Sequence, residues 1–144
     1  MTNREKLFYF IGTLTEKDAK MLIPAVEAFL YFRTKNKANK FHEVIYCIKH
    51  NVTGKEYIGR TGAFENRIAC HMGLLRNGKH PVEDMQKDFN EYGNDYTITI
   101  LEEITDKEQR KREHELMLSR GSHIRGKGYN YKDEFNRHRR RNKE

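Results

Sequence analysis

The stretch VIYCIKHNVTGKEYIGRT, residues 44–61, decides the fold. Two short apolar-aromatic runs, Val44-Ile45-Tyr46 and Tyr57-Ile58-Gly59, flank a turn-forming Asn51-Val52-Thr53-Gly54. β-branched and aromatic residues on both sides of an Asn/Gly turn predict a β-hairpin, with strands over 44–49 and 56–60. Each strand carries one tyrosine, Tyr46 and Tyr57, eleven positions apart. On neighbouring strands, two tyrosines are by default a cross-strand aromatic pair. The residues downstream of them change that weighing.

Phe64, Ile68, His71, Met72 and Leu75 recur at three-four spacing and predict a helix over 63–75, stopped by Asn77-Gly78. A second helix is expected over 81–91, closed by Tyr92-Gly93. A third strand comes next over 96–102, with Tyr96, Ile98 and Ile100 on one side. A third helix over 106–120 and a glycine-rich end piece over 126–130 complete the pattern. Upstream lies an aromatic cluster, Leu7-Phe8-Tyr9-Phe10-Ile11, and then Thr15 as a helix N-cap with Asp18 three residues on. Pro24 is expected to end one short helix and open the next, which would run through Ala25, Val26, Phe29, Leu30 and Phe32. Residues 33–42, RTKNKANKFH, hold four basic residues and no acid and read as a linker or loop that could touch phosphate. The chain therefore divides into a helical N-terminal extension with a basic linker over 1–42, an α/β (α+β) core over 43–131, and a basic tail over 132–144. The core is expected to be a three-stranded, mostly antiparallel sheet flanked by helices.

A chain of 144 residues is one domain with room for a short appendage. It can bury roughly 68–70% of its unfolded surface and needs no disulfide or metal staple. Twenty-eight basic residues against 21 acidic give a net charge of +7 and a pI near 9.4, which raises the odds of a polyanionic partner. Composition alone does not separate that from a merely basic soluble protein. Cys47 and Cys70 lack a CxxC spacing and read as reduced, buried thiols of a cytoplasmic protein. No signal peptide and no apolar run of about 18 residues is visible, so no membrane span is expected.

Arg67 comes ten positions after Tyr57, and His71 four later, so both lie on one helix face. That helix leaves directly from the Tyr57 strand. Two phenols, a guanidinium and an imidazole are thus expected to converge. Glu113 or Glu115 on the third helix can add a carboxylate, and Asn130 an amide.

In these residues the chain resembles the GIY-YIG nucleases, over about residues 43–131. The resemblance is carried by the Tyr46–Tyr57-Ile58-Gly59 spacing, the Arg67–His71 pair, and Lys79-His80 after Asn77-Gly78. It extends through Phe89-Asn90-x-Tyr92-Gly93, Ile100-Leu101-Glu102-Glu103 and Gly128-Tyr129-Asn130. One departure is visible: Val44 stands where the family usually has glycine, although Tyr46 is kept. The departure bears on substrate access beside Val44.

The resemblance implies a metal-dependent endonuclease that hydrolyses phosphodiester bonds of double-stranded DNA. It implies Tyr46 as general base helped by His71, Tyr57 orienting water and phosphate, and Arg67 gripping a phosphate oxygen. One divalent cation per site, Mg2+ or Mn2+, would be held by the glutamate. Helix phase relative to Leu116 and Met117 favours Glu113. Counting back from Gly128-Tyr129-Asn130 without a gap favours Glu115 as the alternate. Phenol has a pKa near 10, so a phenolic base needs nearby positive charge, for which Lys55, Arg60 and Arg67 are sources. Lys55, Arg60, His80 and Asn130 are candidate substrate contacts. His80 is equally readable as a solvated loop histidine, and Asn130 as a structural cap. His42, His50, His114, His123 and His138 have no zinc-ligand spacing with cysteine. The partner is DNA, with the oligomeric state, homodimer included, left open. Family members serve in homing, restriction, phage DNA degradation and repair. The short flanks tilt the reading to a stand-alone phage, mobile-element or restriction type. A catalytically silent nucleic-acid-binding module on the same fold is the alternative.

Overall fold

The computed structural model describes residues 1–35 and 42–131, with side chains 32–35 not described. The basic residues of 36–41 and the tail over 132–144, both expected to meet phosphate, lie outside the described residues. The elements in chain order are α1 (Asn3–Thr13), α2 (Glu16–Lys35), β1 (Glu43–His50), β2 (Glu56–Thr61), α3 (Phe64–Arg76), α4 (Glu83–Tyr92), β3 (Tyr96–Ile104) and α5 (Lys111–Arg120). A single 3₁₀ turn, Lys107–Arg110, leads into α5.

The expected hairpin forms the middle and one edge of an antiparallel sheet of order β2-β1-β3. Along β1, Val44, Tyr46 and Ile48 enter a cluster with α2, α3 and α4 residues, whereas Ile45 and Cys47 enter a second cluster with Met117 of α5. Helices thus cover both faces, which is why the strand is apolar at successive positions rather than at alternate ones. Val44 is fully buried, so the valine that replaces the family glycine is spent on packing. A register shift between Ile45 and Tyr46 relative to β3 marks a bulge. Cys47 is buried as expected, but Cys70 is exposed, because it lies on α3 off the Phe64-Ile68-His71-Met72-Leu75 stripe that faces the core.

α1 was not legible in the aromatic cluster. It starts at a Thr2/Glu5 capping box, and none of its residues is buried. α2 starts at the Thr15/Asp18 reciprocal pair that the spacing predicts. Pro24 does not divide it: one helix runs from Glu16 to Lys35 and takes up the first three residues of the expected linker. Proline removes only the bond to the carbonyl of Lys20, and both residues are exposed, so water can satisfy that carbonyl. The opposite face carries Met21, Leu22 and Ala25 into the same cluster as Tyr46 and Ile98, while Phe29 stacks on Phe64. Buried Asp18 adds a polar tie, accepting from Arg76 at 3.2 Å and from Asn94 Nδ2. α2 thereby belongs to the body that carries the site.

β2 is an edge strand, and an open edge must be covered. The segment after α5 covers it. Tyr129 N–H donates to the Glu56 carbonyl at 2.9 Å. Asn130 accepts from Ile58 N–H at 2.7 Å and donates to the Ile58 carbonyl at 2.9 Å. Among the described residues no helix is long and apolar enough to cross a membrane.

Candidate active site

Tyr46 is the centre of the site, and Gly59 makes room for it. The two residues pair across β1 and β2. A Cβ on Gly59 would lie 2.5 Å from both Cζ and Oη of the Tyr46 phenol. The glycine is required for space, because the ring lies over its backbone. Tyr57 sits beside Tyr46 with ring centroids 6.2 Å apart, and Phe64 closes another side edge-on at 6.2 Å. The phenol is 1% exposed.

α3 delivers the imidazole. Its apolar stripe faces the sheet and brings His71 with it, buried at 7% exposure. His71 Nε2 lies 2.9 Å from Tyr46 Oη, and its ring centroid lies 4.9 Å from that of Tyr57. His71 Nδ1 lies 2.9 Å from His80 Nε2, and the two ring planes are within 21° of parallel with centroids 5.2 Å apart. His80 Nδ1 accepts from Val82 N–H at 3.1 Å. The His80 backbone N–H donates to Gln86 Oε1, and Gln86 Nε2 donates to the Leu75 carbonyl. Burial above all, then the charges of His80 and Arg67, pushes His71 down to about 3. Burial lowers His80 as well. Both rings are therefore neutral at neutral pH. Arg67 lies one turn before His71, exposed, and its side chain makes no hydrogen bond or ion pair among the described residues.

Four of the sequence-predicted residues, Tyr46, Tyr57, Arg67 and His71, are thus gathered at one place. His80 joins them as a buried residue, neither a loop contact at the surface nor a solvated side chain. Arg60 does not join them. Tyr57 and Gly59 face α3, so the alternate position Arg60 leaves from the α5 side of β2. There its Nε lies 3.2 Å from Glu113 Oε2, and its Nη1 2.6 Å from Glu43 Oε2. Glu43 also receives Arg110 at 2.7 Å. The position of Glu113 is set by helix phase: one turn before fully buried Met117, it is 5% exposed. Glu115 turns outwards, and its half-exposed side chain pairs with Arg112 at 2.6 Å.

Lys55 is held elsewhere, 4.0 Å from buried Asp88, which accepts from Tyr129 Oη at 2.6 Å and from Thr53 Oγ1 at 3.2 Å. Asn130 commits its amide to Ile58 at the strand edge. The sequence reading missed Gln86, Val82 and Asp88 as supporting residues. None has a local signature, since each acts on a residue brought near only by folding.

An antiparallel three-stranded sheet with flanking helices, bearing this Tyr-Tyr-His-Arg cluster on one face, defines a small α+β domain. No family model matches the chain. Among solved structures, it is similar to the catalytic domain of the homing endonuclease I-TevI, with TM-score 0.57 and 34% identity over 63% of this chain and 99% of that one. A glutamate-to-alanine mutant of the I-TevI catalytic domain also matches, with TM-score 0.57 and 33% identity over 65% of this chain and 96% of that one. In sequence it is 40% identical over 60 residues to intron-associated endonuclease 1 of Enterobacteria phage T4. The matched span is 42% of this chain and 24% of that protein, so the chain matches about a quarter of the length of that curated relative. The chain belongs to the GIY-YIG nuclease family.

Proposed function

We propose that the chain is a metal-dependent endonuclease that hydrolyses phosphodiester bonds of double-stranded DNA. The observation that carries this reading is the buried line Tyr46–His71–His80 beside exposed Arg67, in a fold shared with intron-endonuclease catalytic domains. Tyr46 takes the proton of the attacking water, and Tyr57 orients water and phosphate. Arg67, held by no partner among the described residues, is available to a phosphate oxygen and offsets charge that develops in the transition state.

The donor set fits magnesium. Among the described residues no group of three His, Cys, Asp or Glu is placed to hold a metal ion, which disfavours a zinc-type site. Magnesium needs only one or two carboxylates and keeps several waters. Glu113, buried and oriented by Arg60, is the residue that would hold it. When bound, the ion supplies Lewis-acid polarisation of the phosphate.

The test is incubation of the full chain with supercoiled plasmid, with magnesium and with EDTA, followed by sequencing of the ends. Magnesium-dependent nicking or linearisation, lost in Tyr46→Phe, supports the reading. One observation favours a second reading, a silent DNA-binding module: the Glu113 carboxylate is already engaged by Arg60. Duplex binding without cleavage under any divalent cation would select it. A role in homing or phage DNA metabolism is the biological setting closest to the similar proteins, and the mapped ends would show whether cutting is site-specific.

A further inference from the structure

The line of side chains behind Tyr46 has a direction, and a backbone amide sets it. Val82 N–H can only donate, and it lies 3.1 Å from His80 Nδ1. That nitrogen must keep its lone pair. The ring is buried and neutral, so its one proton sits on Nε2. Nε2 lies 2.9 Å from His71 Nδ1, which must then accept. His71 is neutral too, so its own proton sits on Nε2, 2.9 Å from Tyr46 Oη. The opposite direction would place a proton on His80 Nδ1 against the Val82 N–H, two donors facing each other in a buried place. Gln86 holds the His80 backbone at 3.1 Å, so the ring cannot readily turn away from that amide.

We propose that His80 is a positioning residue: anchored on the Val82 amide, it fixes His71 as the Nε2–H tautomer, and His71 donates a hydrogen bond to the Tyr46 oxygen instead of taking its proton. This deepens the nuclease reading and rests on it for its catalytic part. The consequence is chemical. A hydrogen bond donated to the phenol oxygen favours the phenolate. The phenol first loses its proton to solvent; the phenolate then takes a proton from the attacking water as the water oxygen bonds to phosphorus, the bond from phosphorus to the leaving oxygen breaks, and that oxygen takes a proton from solvent. The imidazole keeps its own proton throughout, and Tyr46 returns the proton it gained to solvent. His71 is thereby a donor to the base and not a second base. The groups facing Tyr46 fit this: Gly59 and Tyr57 on β2, Phe64 and His71 on α3, with the Arg67 charge opposing any protonation of His71.

The test reads the tautomers directly. Full-length protein labelled with 15N-histidine is studied at neutral pH by long-range 1H–15N correlation, with His71→Gln and His80→Gln as assignment variants. Protonated Nε2 and bare Nδ1 on both rings is the expected result; a protonated Nδ1 on His71 overturns the proposal. Single-turnover cleavage supplies the second readout. His80→Leu removes the donor to His71, and the rate should fall roughly 10²-fold with DNA affinity unchanged; losing the group that fixes a catalytic imidazole's tautomer costs up to about 10⁴-fold elsewhere. His80→Gln offers an amide N–H near the same point and should recover most of the loss. Weaker DNA binding with an unchanged single-turnover rate in His80→Leu would make His80 a phosphate contact and overturn the proposal. If the wild-type chain cuts no DNA, the nuclease reading falls, and the relay still stands or falls on the nitrogen spectrum.

Discussion

Replacing Gly59 by alanine adds one methyl group and should disable the site. The new Cβ would meet Cζ and Oη of Tyr46 at 2.5 Å and Cε1 at 2.9 Å. Carbon atoms rest at about 3.5–4.0 Å, so the phenol must withdraw by about 1 Å or the edge strand must bend away. The ring has little room to withdraw, being 1% exposed and packed against Tyr57, Phe64 and His71. Overpacking of this kind costs about 1–3 kcal/mol of stability. A displacement of about 1 Å also stretches the 2.9 Å contact to His71 beyond hydrogen-bonding distance. Misplacing a catalytic group by about that much can cost 10²-fold in rate. Urea unfolding should therefore show a lower midpoint at unchanged slope. Single-turnover cleavage of plasmid DNA under saturating protein should slow by about 10²-fold. An alanine variant with wild-type midpoint and wild-type rate would refute the idea that Tyr46 lies wedged over this glycine.

Glu113→Gln should abolish magnesium-dependent cleavage with duplex binding retained, whereas Glu115→Gln, which removes only an exposed ion pair, should leave the rate within about threefold; the reverse outcome in the same nicking assay would move the metal to Glu115. Asn130→Ala should cost about 2–4 kcal/mol in urea unfolding, because two hydrogen bonds go and both Ile58 backbone groups stay buried. Acid should destabilise the fold through His71: the unfolded imidazole binds a proton below about 6.5, the folded one only near 3, so stability falls as pH drops between those values and is insensitive to His71 above them. His71 accounts for about 2 kcal/mol by pH 5, and His71→Phe should show a correspondingly flatter stability curve from pH 7 to 5. Deleting residues 132–144 should weaken DNA binding equally on two unrelated duplexes and flatten the salt slope by about 0.9 for each phosphate the tail had neutralised; an unchanged slope would show that it neutralises none.

The hairpin was legible because its signals are local: β-branched runs around an Asn/Gly turn, and a helix stripe beginning at Phe64. The placement of Glu113 beside Met117 came from helix phase alone. What escaped were outcomes of packing between distant segments. Pro24 reads as a break because the chain does not announce that Lys20 and Pro24 share the solvent face. Arg60 reads as a neighbour of Tyr46 by sequence distance, yet strand alternation sends it to the other side, towards Glu43 and Glu113. His80 is a loop residue as read, but it reads as solvated because its partners, His71, Gln86 and Val82, assemble only when α3 and α4 pack together. α1 lacked a buried stripe altogether, so its capping box was the sole signal to find.

The cover on β2 has a consequence for the order in which the chain is made. The strand that carries Tyr57 and Gly59 completes its backbone pairing with Tyr129 and Asn130, over seventy positions later. A nascent chain growing at about 5–20 residues per second leaves that edge bare for several seconds. Until residue 130 clears the ribosome, β2 has a partner on one side only, and the wall of the site that it forms is loose. The site is thus assembled late in synthesis, and a chain interrupted before that point would carry the motif residues without the geometry that makes them work.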